Sequence, residues 1–75
     1  MKLRYVVPGD DLSFAGRASA EVKRALGRLG VDPSVVKRAA VCMYEAEMNM
    51  IIHGGGGVAE ADVEQDRVRI ILEDR

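Results

Sequence analysis

The spacing of hydrophobic and polar residues predicts three strands. Residues 2–7 alternate between apolar and polar positions and are followed by a Pro-Gly pair, which is typical of a strand and its end. The segments 58–63 and 67–73 show a similar alternation on either side of the polar segment 64–66. The last two strands are therefore predicted to form a hairpin.

A first helix is predicted between the first strand and residue 30. Its apolar residues recur at three- and four-residue intervals up to Leu29. Asp10, Asp11 and Ser13 are candidate N-caps, and Gly30 is well placed to end the helix. The basic residues of this helix and of the next one lie mostly opposite the apolar positions and have no aromatic residues among them, so we expect a solvated face rather than a nucleic-acid site. They are Arg17, Lys23, Arg24, Arg28, Lys37 and Arg38.

A second helix begins at the Asp32-Pro33 pair, where a capping residue precedes a proline, and extends to about His53. Its apolar side chains point in nearly every direction around the axis, which predicts that it is the most buried element. Cys42 lies within this helix and is interpreted as a small core residue.

The order of these elements is β-α-α-β-β, which predicts an α+β domain. We expect both helices to pack on one face of a small sheet. Val68, Ile70 and Leu72 share one side of the last strand, because side chains alternate with a period of two, and they are predicted to contact the helices.

Composition limits the classes of function. Seventy-five residues make at most one domain, and 31% charged with 48% hydrophobic residues is ordinary globular composition. The net charge of −1 gives no overall field for nucleic acid or anionic membranes. One cysteine excludes an internal disulfide, and no apolar run approaches the roughly 20 residues that span a bilayer. We therefore expect a cytoplasmic protein without nucleic-acid or membrane partners.

Glu45, Asn49 and His53 follow one another at four-residue intervals in the second helix. Glu45 and Asn49 lie one turn apart, so their side chains share a face. If that face is buried, a carboxylate and an amide there need partners or a ligand. Alternatively, both side chains bond to the backbone of a loop or lie at a solvated edge, and the helical pattern leaves these alternatives open.

The run 45-EAEMNMIIH-53 resembles the N-box of the GHKL (histidine-kinase-like) ATPase superfamily, and in particular is similar to that of its anti-sigma-factor serine/threonine kinases. The resemblance implies that Asn49 coordinates the Mg²⁺ that bridges the ATP phosphates and that Glu45 acts as a base toward the hydroxyl being phosphorylated. An amide oxygen together with phosphate oxygens suits this cation. His53 matches the last position of the motif, and we expect it to cap the helix or pack rather than to catalyse.

The segment 68-VRIILEDR-75 resembles the strand that leads into the adenine-binding box of the same superfamily, Asp-x-Gly-x-Gly. The resemblance implies that Asp74 accepts a hydrogen bond from the adenine amino group. The sequence stops at Arg75, before the glycines of that box, which predicts that residues 1–75 are the N-terminal part of one such domain and bind ATP weakly or not at all alone. The glycines 54–57 are followed by a strand and lack the Gly-Lys-Ser/Thr of a Walker loop, so they are interpreted as a flexible crossover.

The resemblance implies an anti-sigma regulator that binds Mg-ATP and phosphorylates or sequesters a regulatory protein, such as a sigma factor or its antagonist. Two alternatives stay open, a nucleotide- or partner-binding relative without kinase activity and an interaction module in which Glu45 and Asn49 are structural. We also expect a homodimer, because such a small sheet would leave an unpaired edge and an uncovered apolar face.

Overall fold

The computed structural model describes residues 1–9, 12–53, 55–64 and 67–74. The side chains of Leu12 and Asp74 are left outside this description. Within these ranges the elements follow the order β-α-α-β-β, so the predicted α+β class is confirmed. The elements are β1 (Lys2–Val7), a 3-10 turn (Leu12–Phe14), α1 (Arg17–Arg28), α2 (Pro33–Ile52), β2 (Gly57–Val63) and β3 (Val68–Asp74).

The three strands form one antiparallel sheet in the order β1-β2-β3. The predicted hairpin is confirmed, since Val63 pairs with Val68 next to the connecting turn. In the middle of the sheet, Ala61 pairs with Leu3 on one side and with Ile70 on the other. Ala59 and Ala61 are fully buried, and their small side chains let the helices approach the central strand closely.

Both helices pack on the same face of this sheet, as predicted. The core between the two layers consists of buried side chains from β1, β2 and both helices, with partly buried ones from β3 around it. Val68 and Ile70 pack against this core, which confirms two of the three predicted contacts of the last strand. The third was wrong, because Leu72 is 48% exposed on an edge strand that the helices do not fully cover.

Two helix boundaries match the sequence prediction. Asp32 caps α2, since its carboxylate accepts a hydrogen bond from the backbone N–H of Ser34 at 2.8 Å, and Pro33 is the first helical residue. Gly30 follows α1 with φ +76°. There the N–H of Val31 donates to the carbonyl of Leu26 at 3.1 Å, which is the bond of a Schellman motif.

The predicted start of α1 was wrong. The helix begins at Arg17, and its N-cap is Gly16, which has no side chain to satisfy the first backbone N–H groups. Ser13 lies upstream in the 3-10 turn, and Asp10 and Asp11 lie outside the described residues. Gly16 therefore cannot cap this helix with a side chain, and the N–H groups of Ala18 and Ser19 find an acceptor on another element.

Candidate functional site

The helix α2 has one buried and one exposed face. The prediction that it is buried all round was wrong, because Val41, Tyr44 and Ile52 are 54%, 45% and 60% exposed. A helix in a two-layer domain contacts the sheet and its neighbouring helix with one side only. The apolar residues on the other side have no cover among the described residues, although their chemistry resembles that of the core. The exposed apolar stripe is defined here as Val41, Tyr44 and Ile52.

Glu45 and Asn49 lie on the exposed face, beside this stripe. Their side chains make no hydrogen bond to any described residue, so neither caps a helix or ties down a loop. The sequence left open whether these side chains bind a ligand, bond to the backbone of a loop or lie at a solvated edge. The structure has both side chains at the solvated surface. The two side chains, one turn apart on one face, are available to a ligand.

His53 ends α2 as its C-cap, and its backbone N–H donates to the carbonyl of Asn49 at 3.0 Å. Its side chain is exposed. His53 therefore occupies the predicted C-cap position through its backbone, while its side chain makes no hydrogen bond to a described residue.

Asp74 is the last residue of β3 and pairs with Gly57, the first residue of β2. Gly57 follows His53 by only a short crossover, so the backbone of Asp74 lies at the end of the molecule where α2 terminates. Asn49 is in the last turn of the same helix. The topology therefore brings the strand end that carries Asp74 to the end of the helix that carries Asn49.

The glycine crossover from α2 to β2 packs more closely than a flexible connection. Gly55 and Gly56 have positive φ angles of 86° and 64°, and a Cβ atom on Gly56 would lie 2.1 Å from the carbonyl oxygen of Val7. A Cβ atom on Gly9 would lie 2.3 Å from the backbone nitrogen of Gly56. Glycine is required here because two backbones touch. This contact fixes the end of α2 against the end of β1.

Glu47 is the residue that sequence reasoning missed. It is 2% exposed, and its two carboxylate oxygens accept hydrogen bonds from the backbone N–H groups of Ala18, at 2.9 Å, and Ser19, at 3.1 Å. These donors are in the first turn of α1, where helical N–H groups have no partner within the helix. Glu47 thus supplies, from α2, the cap that Gly16 cannot provide.

A signal for Glu47 was present in the sequence. It stands one turn from Met43 on the face of α2 that is otherwise apolar, and a carboxylate at a core position needs hydrogen-bond donors. The argument about burial and partners was thus sound but was applied to Glu45 instead of Glu47.

Cys42 is exposed, so its interpretation as a core residue was wrong. It lies beside a groove between α2 and β3 that Ala39, Val68 and Ile70 also line. Among the described residues there is no group of three or more His, Cys, Asp or Glu side chains that could hold a metal ion. A cation at Asn49 would therefore take most of its ligands from elsewhere.

The predicted basic face is confirmed as exposed, with Arg17, Lys23, Arg24, Arg28, Lys37 and Arg38 all at the surface. In the described part of the chain, neither helix combines the length and hydrophobicity needed to cross a membrane. No protein-family model matches the chain, and the comparisons with curated proteins and with solved structures likewise gave no match.

Proposed function

We propose that residues 1–75 form part of an ATP-binding domain of the GHKL type, belonging to a cytoplasmic anti-sigma regulator. Asn49 would hold the Mg²⁺ of Mg-ATP, Asp74 would accept a hydrogen bond from the adenine amino group, and Glu45 would serve as the base. The observation that carries the proposal is the exposed pair of Glu45 and Asn49, which have no structural hydrogen bonds. The position of the Asp74 backbone at the same end of α2 supports it further.

The donor chemistry fits Mg²⁺ bound to a nucleotide. Mg²⁺ takes oxygen ligands, keeps several waters and is usually held by one or two protein groups together with phosphate oxygens. Asn49 offers one amide oxygen, and no cluster of carboxylates stands beside it among the described residues. Such a site binds the cation only together with the phosphates, which is the arrangement that the resemblance implies.

Glu45 would accept the proton of a serine or threonine hydroxyl on a regulatory protein, while the Mg-ATP supplies the phosphoryl group. Phosphoryl transfer depends mainly on positioning and on stabilising charge, so one correctly placed carboxylate is a sufficient base. The partner would be a sigma factor or its antagonist, either phosphorylated or sequestered.

A function in binding alone is the second candidate, and the exposed apolar stripe favours it. Its three large side chains flank Glu45 and Asn49 and are roughly half exposed. An apolar patch with polar residues at its border is typical of a protein interaction surface. In this alternative Glu45 and Asn49 would border a docking face, and no phosphate would be transferred.

Nuclear magnetic resonance with Mg-ATP tests the nucleotide site on this chain directly. We expect shift changes at Glu45–His53 and at the end of β3, with a dissociation constant weaker than about 1 mM, because few contacts of about 1.5–3 kcal/mol each are present. Asn49→Ala should abolish the changes, while the control Lys37→Ala should preserve them. Shift changes that survive Asn49→Ala, or their absence at α2, would contradict the site.

The role of Glu45 is tested in the longer domain that the resemblance implies. There, Glu45→Gln should keep nucleotide affinity within about threefold and suppress phosphoryl transfer to the partner by at least 100-fold. Asn49→Ala should remove both. Nucleotide binding without any transfer by the unsubstituted protein would favour the binding-only alternative.

A further inference from the structure

A groove with a volume of about 620 Å³ lies between α1 and α2. Its apolar floor and its two basic side chains are contributed by Val31, Val36, Ala40, Lys23 and Lys37. Only the two helices and their connection line it, so it opens on the side of the helix pair that faces away from the sheet. The groove therefore involves neither outer edge of the sheet, and it shares only Val41 with the exposed apolar stripe.

Gly27 keeps this groove open although the fold does not require a glycine there. It lies within α1, its φ angle is not positive, and a Cβ atom on it would meet nothing within 4 Å. Glycine inside a helix is less favourable than every other residue except proline. The backbone and the packing of α1 therefore give no reason for a glycine at this position, whereas the lack of a side chain leaves room between the helices.

The part of the chain that forms the groove is positively charged. Residues 17–41 contain six basic and two acidic residues, a net charge of +4 in a chain whose net charge is −1. Both acidic side chains are engaged, because Glu21 forms a salt bridge within α1 and Asp32 caps α2. Lys23 and Lys37 are exposed and have no ion pair or hydrogen bond with a described residue. Two ammonium groups beside an apolar floor are thus available to an acidic partner.

The shape of the groove suits a third helix. Lys23 and Gly27 are one turn apart on α1, and Pro33, Lys37 and Val41 are each one turn apart on α2. Rows with four-residue spacing form ridges on a helix surface, and the groove between such ridges accepts the side chains of another helix. An amphipathic helix fills it with apolar residues at positions i, i+3 or i+4, and i+7. Acidic residues beside that apolar row would lie opposite the two lysines.

Two other occupants fit the groove less well. Single-stranded nucleic acid is bound by basic side chains together with aromatic rings on which the bases stack, and no described aromatic residue lines the groove. A second copy of the chain, paired by two-fold symmetry through this groove, would bring the lysines of the two copies together. Like charges at an interface are unfavourable.

We propose that the groove between α1 and α2 is the docking site for an acidic amphipathic helix of a partner protein. Its apolar side chains enter the groove beside Gly27, and its carboxylates pair with Lys23 and Lys37. The apolar contacts supply most of the affinity, while the charges set the orientation and speed association. The proposal does not depend on the nucleotide site, because the groove lies along the N-terminal half of α2 and Glu45 and Asn49 lie in the C-terminal half.

Fluorescence anisotropy with a synthetic peptide measures this docking. The probe is a labelled helical peptide of about 18 residues, with a row of leucines at i, i+3 or i+4, and i+7 spacing and glutamates on both sides of that row. We expect a dissociation constant of about 10–200 µM, which rises with salt concentration because surface charges are screened. The same peptide with lysine in place of every glutamate should bind about tenfold more weakly or not at all.

Two substitutions of Gly27 test the groove itself. Gly27→Gln places a long polar side chain between the helices and should weaken binding of the acidic peptide by about tenfold or more. It should not lower the melting temperature of the chain, because glutamine is a better helix former than glycine and its Cβ atom meets nothing. The matched variant Gly27→Ala adds one methyl group and should bind within about threefold of the wild type.

A pair of double variants tests the charges. Lys23→Gln with Lys37→Gln should weaken binding by about fivefold and remove most of its salt dependence. The control, Lys2→Gln with Arg4→Gln, removes the same charge from β1 on the face of the sheet away from the helices. It should keep the affinity within about twofold and preserve the salt dependence.

Nuclear magnetic resonance locates the bound peptide. We expect shift changes within residues 23–41, unchanged by Asn49→Ala, whereas changes confined to residues 44–53 would overturn the proposal. So would a dissociation constant above about 1 mM, equal binding of the lysine peptide, or full affinity in Gly27→Gln. Displacement of the peptide by an equal concentration of a single-stranded oligonucleotide would assign the groove to nucleic acid instead. Self-association of the wild-type chain that Gly27→Gln abolishes would assign it to a second copy.

Discussion

The two helices begin in opposite ways. The cap of α2 is local, because Asp32 bonds to the N–H of Ser34 two residues further on and Pro33 occupies the first helical position. The cap of α1 is distant, because Glu47 bonds to Ala18 and Ser19 from 29 and 28 residues away. The first is solvent-exposed and the second is buried.

This difference separates two kinds of stabilisation. A local cap forms whenever its helix forms, so it contributes to the helix itself. A distant cap forms only when α1 and α2 dock, so it joins helix formation to tertiary structure. Glu47 therefore also fixes how α1 lies against α2, and through α2 it is linked to the face that carries Glu45 and Asn49.

Removing the distant cap should have the largest effect on stability. Glu47→Ala leaves two buried N–H groups without an acceptor, at about 1–3 kcal/mol each, so we expect a loss of about 4 kcal/mol. A core of this size supplies only about 3–5 kcal/mol, so the variant should be largely unfolded at 25 °C. Circular dichroism during thermal and urea unfolding is the measurement.

Two variants make that result specific. Glu47→Gln keeps one acceptor oxygen and the side-chain volume, and it should lose roughly half as much stability while remaining folded. Glu45→Ala removes the exposed glutamate of the same helix and should change stability by less than about 0.5 kcal/mol. Similar losses for Glu45→Ala and Glu47→Ala would mean that the contrast between the two faces of α2 is wrong.

The helix ends repeat the contrast between local and distant signals. Gly30 ends α1 within its own turn, and a Cβ atom there would meet nothing within 4 Å. Gly56 lies beyond the end of α2, and its Cβ atom would be 2.1 Å from the carbonyl oxygen of Val7. Both residues have positive φ angles, so both alanine variants are strained in the same way.

The free energies of unfolding of the two alanine variants should therefore differ by the effect of the close contact between Gly56 and Val7. We expect Gly30→Ala to cost about 1–2 kcal/mol from its backbone conformation. Gly56→Ala should cost about 3 kcal/mol, because the backbones of β1 and the crossover must also separate. Equal unfolding free energies for the two variants would show that the close contact at Gly56 contributes nothing.

The elements that the sequence predicted well are those with local signals. The strand alternation, the Asp32-Pro33 start and the Gly30 stop each act within a few residues, and all three were confirmed. The start of α1 and the packing of the glycine crossover were missed, because each depends on a residue from a distant element. Periodicity also overstated the burial of α2, since it reports which residues are apolar and not which side has a neighbour.

The predictions about the positions of Glu45 and Asn49 likewise succeeded where they needed only local geometry and failed where they needed the tertiary packing. Spacing alone put Glu45 and Asn49 on one face of α2, which follows from helical geometry. The claim that this face is buried needed knowledge of the tertiary packing and was wrong. The role of Asn49 and Glu45 toward Mg-ATP stays a prediction, as does that of Asp74.

The smallest expected effect is the pH dependence of the local cap. The hydroxyl and the backbone N–H of Ser34 both donate to the carboxylate of Asp32 and lower its pKa from the ordinary value of 3.8. Because the folded pKa is below the unfolded one, this stabilisation is fully present above the unfolded pKa and is lost as the pH falls through the folded pKa. Asp32→Ala should therefore melt a few degrees below the wild type at neutral pH, and the two melting temperatures should converge in acid.

The pKa of Glu64 is also lowered, by its hydrogen bond with Arg67, but that carboxylate is present in both proteins and cancels in the comparison. A melting difference that stays constant from about pH 7 to pH 2 would show that the cap does not act through its carboxylate.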